Sequence, residues 1–301
     1  MNSLQPETLM SDRYLYRLAA FTTTPNGGNP AGVWIGDYLP GADEMLRIAR
    51  EVGYSETAFL APTDGTRRTV RYYSPQAEVP FCGHATIAAA VKLGELHGEG
   101  EYVFDTAPGE VVVAVRTSGG LAEAALTSVP ARHVLASADF LDRVLTALRW
   151  DAADVDQTIP PALGFAGAWH FIIAVSTVER LARLDYDFDA LKHLMLEADL
   201  TTIQLVWRAG PRLFHARDPF PVGGVVEDPA TGAAAAALGG YLRDAKLIDA
   251  PTSILILQGQ TMGRPSRLKV EIPATGGIVV SGNAVELDPN VHNPLAQRPS
   301  A

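Results

Sequence analysis

The sequence predicts an α+β protein of two pseudo-symmetric domains, each a β-barrel or curved sheet wrapped around a central Ala-rich helix. Three observations lead there. The chain repeats itself: residues 78–93 read EVPFCGHATIAAAVKL and residues 227–242 read EDPATGAAAAALGGYL. Both copies run Glu, then Pro two places on, then Gly, then small residues closing on Leu, about half a chain apart. Each half is otherwise a succession of short apolar runs cut by Gly, Pro and Asn, the pattern of strands and turns. And 301 residues with 47% hydrophobic content suffice for two cores. The domains are expected over 1–130 and 131–284, with about 285–301 a candidate to complete the first.

Taken in order, residues 14–22 read as a first strand, Asn26-Gly27 as a hairpin turn, and 33–35 as the centre of the returning strand. Residues 41–52 fit a helix with Met45, Ile48 and Ala49 on one face and Gly53 as its stop. Strands follow at 54–60 and 67–74, then the first repeat copy, then strands at 101–106, 110–116 and 121–127. Residues 130–134 read as a crossover, and 138–148 as a helix with Phe140, Leu141, Val144, Leu145 and Leu148 inward. The second half gives strands at 169–175, 202–208 and 212–216, a helix at 187–197, the second repeat copy, and strands at 253–258, 267–272, 277–281 and 284–287. The polar start, as far as about Asp12, is expected to be mobile and the patternless last 14 residues to fray.

Each repeat copy carries the same local physics. Pro80 and Pro229 hold the residue before them extended, so a loop leads in. Gly83 and Gly232 permit a turn or close approach, and the small residues that follow form a helix that other elements can surround tightly. The first N–H groups of such a helix lack intrahelical partners and attract anions. Two of them suggest two helix N-termini facing a shared cleft. Asp228-Pro229 equally fits an ordinary N-cap followed by proline at the first helical position.

Composition excludes several classes. The formal net charge is −10 with no Lys/Arg cluster, which argues against a nucleic-acid partner. Cys82 is the sole cysteine, so no internal disulfide and no Cys-based zinc site is expected. The other histidines (His97, His133, His170, His193, His215, His292) form no close ligand pair, so no metal motif is read. The polar start is no signal peptide, and no apolar run reaches the roughly 18 residues of a membrane span. A soluble, cytoplasmic protein without membrane association is expected. The loop NGGNPAG (26–32) matches neither a P-loop nor a dinucleotide fingerprint, and G-x-S-x-G is missing.

Two residues stand out as proton carriers. On an extended strand Glu56 shares a face with Ala58 and Leu60, pointing its carboxylate at an apolar region. Burial disfavours a carboxylate's charged form, the condition a general acid or base exploits at neutral pH. A glutamate at a strand end that reaches solvent has the same spacing. His84 follows Gly83 at the expected helix start, a place that favours a neutral imidazole able to give or take a proton. A packed, hydrogen-bonded histidine is the competing reading. Glu78 and Glu227 read as solvated or bonded to nearby backbone.

Together GNPAG (28–32), SETAF (55–59), EVPFCGHAT (78–86), EDPATG (227–232) and MGRPSRL (262–268) resemble the phenazine-biosynthesis PhzF-like family, in family order over nearly the whole chain. The resemblance implies a diaminopimelate-epimerase-like fold, with the active site between two pseudo-equivalent domains, a homodimer and no cofactor. It places the catalytic glutamate at Glu56 and the other catalytic positions at His84 and Asp228. It puts substrate contacts at Asn29, Ser55, Gly83, Thr231, Gly232 and Ala233, and no metal. In the family's phenazine enzyme the glutamate moves a proton within dihydro-hydroxyanthranilate. Two departures count: Ala233 stands where the family often has serine, and the second repeat offers no thiol to make a two-cysteine racemase with Cys82.

The reading that results is a cofactor-independent isomerase of a small carboxylated, anionic metabolite. The alternatives are a racemase or epimerase of a small amino or hydroxy acid, using Glu56 with a second base such as Asp228, and a non-catalytic small-molecule-binding protein of the same fold.

Overall fold

The computed structural model describes residues 14–288. They form two compact units: one of the residues up to Pro25, Asn29–Leu126 and the stretch from Gly282, the other of Asn26–Gly28 and Thr127–Ser281. The division falls inside two strands, after Leu126 and after Ser281.

In the first unit β1 (Leu15–Ala20) and β2 (Asn29–Ile35) form the hairpin that Asn26-Gly27 signals, Ala20 pairing with Asn29. Helix α1 (Ala42–Val52) then leads to β3 (Thr57–Asp64), which lies parallel to β2. The strands β4 (Arg67–Tyr73) and β5 (Glu78–Val79) bring the chain to helix α2 (Gly83–His97). The strands β6 (Gly100–Thr106), β7 (Gly109–Ser118) and β8 (Leu121–Pro130) follow as an antiparallel meander. Helix α2 is buried on every side: Ala85, Ile87, Ala88, Ala89, Ala90, Val91 and Leu93 are all at most 1% exposed. It packs against β1, β2, β3 and β7. A helix apolar all round has no solvent face to satisfy, so the sheet closes about it. On the outside of the sheet, Met45, Ile48, Ala49 and Val52 of α1 pack with Trp34, Phe59 and Tyr73.

The second unit repeats the plan. The strand β9 (Arg132–Leu135) pairs with β10 (Ala162–Phe165), and helix α3 (Ala138–Leu148) lies between them in sequence. Next come β11 (Trp169–Ala174), the short α4 (Val178–Ala182), α5 (Phe188–Glu197), β12 (Leu200–Gly210) and β13 (Leu213–Pro219). The two-residue strand β14 (Glu227–Asp228) leads into helix α6 (Gly232–Asp244). The strands β15 (Thr252–Gln258), β16 (Ser266–Ile272) and β17 (Gly277–Glu286) are the last of the described residues' elements. Helix α6 buries Ala234, Ala235, Ala236, Ala237, Leu238, Tyr241 and Leu242 against β9, β10, β11 and β16. Gly240 permits this contact, because a methyl there would run into the Ala131 side chain. The outer helices α3 and α5 form a second core with β11 and β12, in which Val144, Leu148, Phe171, Leu191, Met195 and Ile203 are fully buried.

Three local expectations need correction. Residues 130–134 are not a crossover: β8 runs to Pro130 and β9 begins at Arg132. The pairing that makes RHVL a strand comes from β10, about thirty residues on, so no local period announces it. Residues 277–281 and 284–287 are one strand, not two. Gly282 marks a close approach to the Phe21 ring, where a Cβ would stand 2.5 Å from Cδ1. Asp228 is not an N-cap: it sits in β14, and Thr231 occupies the N-cap position of α6 without a side-chain capping bond. The expected mobile ends lie outside the described residues. No helix among those described is long and apolar enough to cross a membrane.

Candidate active site

The repeat is structural as well as sequential. In the first unit Tyr73 pairs with Glu78 across β4 and β5; in the second Pro219 pairs with Glu227 across β13 and β14. Each glutamate is held by an arginine of the facing strand, Arg71 to Glu78 and Arg217 to Glu227, the latter at 2.9 and 2.5 Å. The Arg71 guanidinium holds the Glu78 carboxyl below its usual range. Neither glutamate is simply solvated, then; both fasten the chain ahead of a helix. Cys82 and Thr231 take the equivalent N-cap positions, with Gly83 and Gly232 as the first helical residues. The leading N–H groups of α2 and α6 lie just beyond.

Around the start of α2 the first unit gathers Glu56, His84, Cys82, Ser55 and Asn29. Glu56 does not lie within the strand: β3 begins one residue later, and Thr57, Ala58, Phe59, Leu60 and Ala61 are buried on both faces. The alternation that would aim Glu56 by strand geometry is therefore not what places it. Its backbone carbonyl accepts from Gly32 N–H at 3.1 Å, which fixes the residue beside β2. Its side chain is 16% exposed, and Oε2 lies 3.5 Å from Nε2 of His84, itself buried.

The imidazole of His84 is held from both sides. The Asn29 amide Nδ2 lies 3.2 Å from Nδ1. An amide nitrogen only donates, so with the amide turned this way Nδ1 accepts and Nε2 carries the ring proton. That N–H faces the Glu56 carboxylate and the Ser55 hydroxyl, each at 3.5 Å. The Cys82 thiol lies 3.4 Å from Nδ1. Behind the ring, the Thr86 hydroxyl donates to the Cys82 carbonyl at 2.7 Å and meets the buried Tyr72 phenol at 2.7 Å. The ligand atoms of Glu56, Cys82 and His84 all lie within 4.8 Å of one another. Sequence spacing could not show this grouping, because Glu56 is 26 residues from Cys82.

The second unit builds a different polar set around Asp228. The Thr231 hydroxyl donates to Asp228 Oδ2 at 2.6 Å. Gln258, fully buried on β15, accepts from the Thr231 N–H at 3.1 Å. Its amide donates to the Asp228 carbonyl at 2.8 Å and to the Thr231 hydroxyl at 3.0 Å. Asp218 stands across from Asp228 on β13 and is 0% exposed. Desolvation drives its pKa well above the ordinary value, and the negative charges of Asp228 and Glu227 add to the effect. The nearby Thr231 hydroxyl and Gln258 amide oppose it, but neither carboxyl oxygen has a partner at hydrogen-bonding geometry among the described residues. Burial therefore favours the protonated form of Asp218. The sequence reading missed both Asp218 and Gln258, since neither lies in a repeat copy. Ala233, the second residue of α6, offers only a methyl group.

The histidines outside these sets play other parts. Burial takes His170 down to about 3, so it is a neutral core residue, 2.8 Å from the Thr202 hydroxyl.

A family model described as phenazine biosynthesis-like protein matches residues 18–288. The chain belongs to that family. Among its relatives is the trans-2,3-dihydro-3-hydroxyanthranilate isomerase of Pseudomonas fluorescens, 32% identical over 88% of this chain and 94% of the relative. The uncharacterized isomerase YfhB of Bacillus subtilis is 27% identical over 92% of this chain and 97% of the relative. A solved PhzF-family phenazine biosynthesis protein of Bacillus anthracis superposes with a TM-score of 0.81 at 23% identity, covering 91% of this chain and 96% of that one. At that identity the likeness speaks to the fold, which is the α+β fold expected. As a phenazine biosynthesis-like protein the chain is an isomerase.

Proposed function

We propose that the chain isomerises a small carboxylated metabolite by moving a proton between two carbons, with Glu56 as the carrier. The observation that carries this reading is the pair formed by Glu56 and a tautomer-fixed His84, Nε2 to Oε2 at 3.5 Å in a mostly buried setting. In outline, the Glu56 carboxylate takes a proton from an acidic C–H, the electron pair moves into the adjacent π system, and the protonated Glu56 returns the proton at another carbon. One C–H bond breaks, one forms and the double bond shifts, so no electrons are gained or lost and no cofactor is required.

His84 has two uses in this scheme. Its Nε2 edge borders the carboxylate at 3.5 Å, and its ring walls one side of the place where the proton moves. In the second unit Asp228, aligned by Thr231 and Gln258, offers an acceptor for an N–H or O–H donor. The leading N–H groups of α2 and α6 suit substrate carboxylates. The relative from Pseudomonas fluorescens makes trans-2,3-dihydro-3-hydroxyanthranilate the first compound to try.

The test is turnover in D2O by wild type and Glu56→Gln, on that compound and on a metabolite extract read by mass spectrometry. Deuterium entering a product of wild type, and none with Glu56→Gln although the variant binds the same compound, is the expected result. Full turnover by Glu56→Gln would overturn the assignment. Inversion at a single carbon without a shifted double bond would replace isomerisation by epimerisation.

A further inference from the structure

Asp218 and Asp228 are partners across β13 and β14. Residues directly opposite in an antiparallel pair carry their side chains on one face, with Cβ atoms about 4.5–5.5 Å apart. Two carboxyl groups are therefore brought together inside the second unit, and Asp218 is 0% exposed. The donors around it are committed elsewhere. The Thr231 hydroxyl donates to Asp228 Oδ2, and the Gln258 amide donates to the Asp228 carbonyl and to Thr231 Oγ1. The cation beside it on β13, Arg217, bonds Glu227 and the Leu181 and Ala182 carbonyls. Gln204 of β12, one position beyond the Leu205–Arg217 pair, is fully buried with its amide unpartnered, as are both Asp218 oxygens among the described residues. A neutral amide can serve one oxygen but cannot compensate a buried charge.

We propose that Asp218 is a positioning residue, a carboxylic acid whose O–H donates to the Asp228 carboxylate, so that the two aspartates hold one proton and one negative charge between them. An ionised carboxyl only accepts, so two carboxylates repel, whereas an acid and a carboxylate form a charge-assisted bond. The acid's carbonyl oxygen is left for the Gln204 amide. Thr231 holds Asp228 at Oδ2 and Asp218 restrains the same carboxylate from the facing strand. Asp228 is thereby fixed in direction and keeps the charge that accepts an N–H or O–H.

The charges that act on Asp218 are those of Asp228 and Glu227, both on β14, and Glu227 is paired with Arg217. The strands β12 and β15 bring the uncharged Gln204 and Gln258, and α6 begins with a glycine and alanines. Burial is the largest influence and favours the acid. When rising pH removes the shared proton, two anions face each other and Asp228 loses its restraint. The effect of that loss on turnover rests on the proposed function; the shared proton itself does not.

The experiment reads the proton in the full chain by infrared spectroscopy. The difference between wild type and Asp218→Asn at pH 7 should contain the C=O stretch of a carboxylic acid, shifted in D2O, and Asp228→Asn should move that band. A measurement on wild type alone guards against misfolded variants: with carboxyl carbon-13 aspartate, one resonance should keep the acid position at pH 7. Turnover is the second arm, on the compound that wild type converts. Asp218→Leu should lower kcat/KM roughly 10- to 100-fold, the loss of one bond to a charged group. Asp218→Asn keeps a donor and should recover most of that activity, without the alkaline limb of the wild-type pH profile. The proposal falls if no acid signal is present at pH 7, if the band responds to Gln204→Leu and not to Asp228→Asn, or if the Leu and Asn variants of Asp218 lose turnover alike. An acid band coupled to Asp228 in a protein that converts nothing would keep the shared proton and remove the isomerase reading.

Discussion

Asp218 faces Asp228 directly across the β13–β14 pair, and of the two only Asp218 has both carboxyl oxygens buried without a hydrogen-bond partner among the described residues. Burial and the neighbouring charges raise the Asp218 pKa well above its ordinary 3.8. Between the ordinary value and the raised one, the folded chain holds a proton that the unfolded chain releases. Stability therefore falls with rising pH across that window, and Asp218 is a net cost at neutral pH. Asp218→Asn keeps the shape and removes the titration. The variant should melt higher than wild type near pH 7, and the difference should shrink steadily toward pH 4. Thermal unfolding across that range checks it; a gap that widens toward acid would show Asp218 to be charged in the folded state.

Gln258 ties together the segment that presents Asp228. It makes three hydrogen bonds, to the Thr231 N–H, the Thr231 hydroxyl and the Asp228 carbonyl. Gln258→Ala should cost roughly 2–4 kcal/mol, from three lost bonds at about 1 kcal/mol each and the buried groups they strand. Urea unfolding measures the loss. The companion Gln258→Glu keeps only the acceptor for the Thr231 N–H and should lie between the two.

Much of the fold was legible because its causes are local. The two repeat copies announced the pair of buried helices, since a run such as ATIAAAVKL (85–93) has no polar face to offer solvent. The helix at 138–148 was legible from its own period; the β1–β2 pairing was legible too, although residues 21–28 join the strands by a longer connection than a tight turn at Asn26-Gly27. What stayed hidden depends on distant partners. The strand character of 132–135 comes from residues 162–165, and β17 is paired over 279–281 by β16 and over 284–286 by β1. The site divides the same way. His84 was visible from its place after Gly83, whereas its orientation is set by Asn29, fifty-five residues earlier. Asp218 and Gln258 carry no sequence signal at all, because an aspartate before proline and a glutamine at a strand end are commonplace.

Gly240 tests how closely α6 is packed. In an open helix Gly→Ala gains about 1 kcal/mol. Here the added methyl would collide with the Ala131 side chain. Gly240→Ala should therefore destabilise by about 1–3 kcal/mol, the usual cost of overpacking. Ala131→Gly in the same chain should restore most of it, and the double-mutant cycle should show coupling well above the additivity error of about 0.5 kcal/mol. Additive effects would place the two residues out of contact.

The tautomer of His84 is open to a direct test at Asn29. Asn29→Asp alters the volume little but replaces a donor by an acceptor opposite Nδ1. The ring proton is drawn to Nδ1, and Nε2 then meets Glu56 with a lone pair, or the ring takes a second proton and sets a positive charge beside the base. Either change spoils the pairing on which the proposed proton transfer depends. The fold should survive, while kcat should fall roughly 10²–10⁴-fold, the range for loss of general acid–base function. Nitrogen-15 spectra of the imidazole should show the proton on Nε2 in wild type and on Nδ1, or on both nitrogens, in the variant. If the spectra shift and kcat does not, His84 is a structural residue and Glu56 works without it.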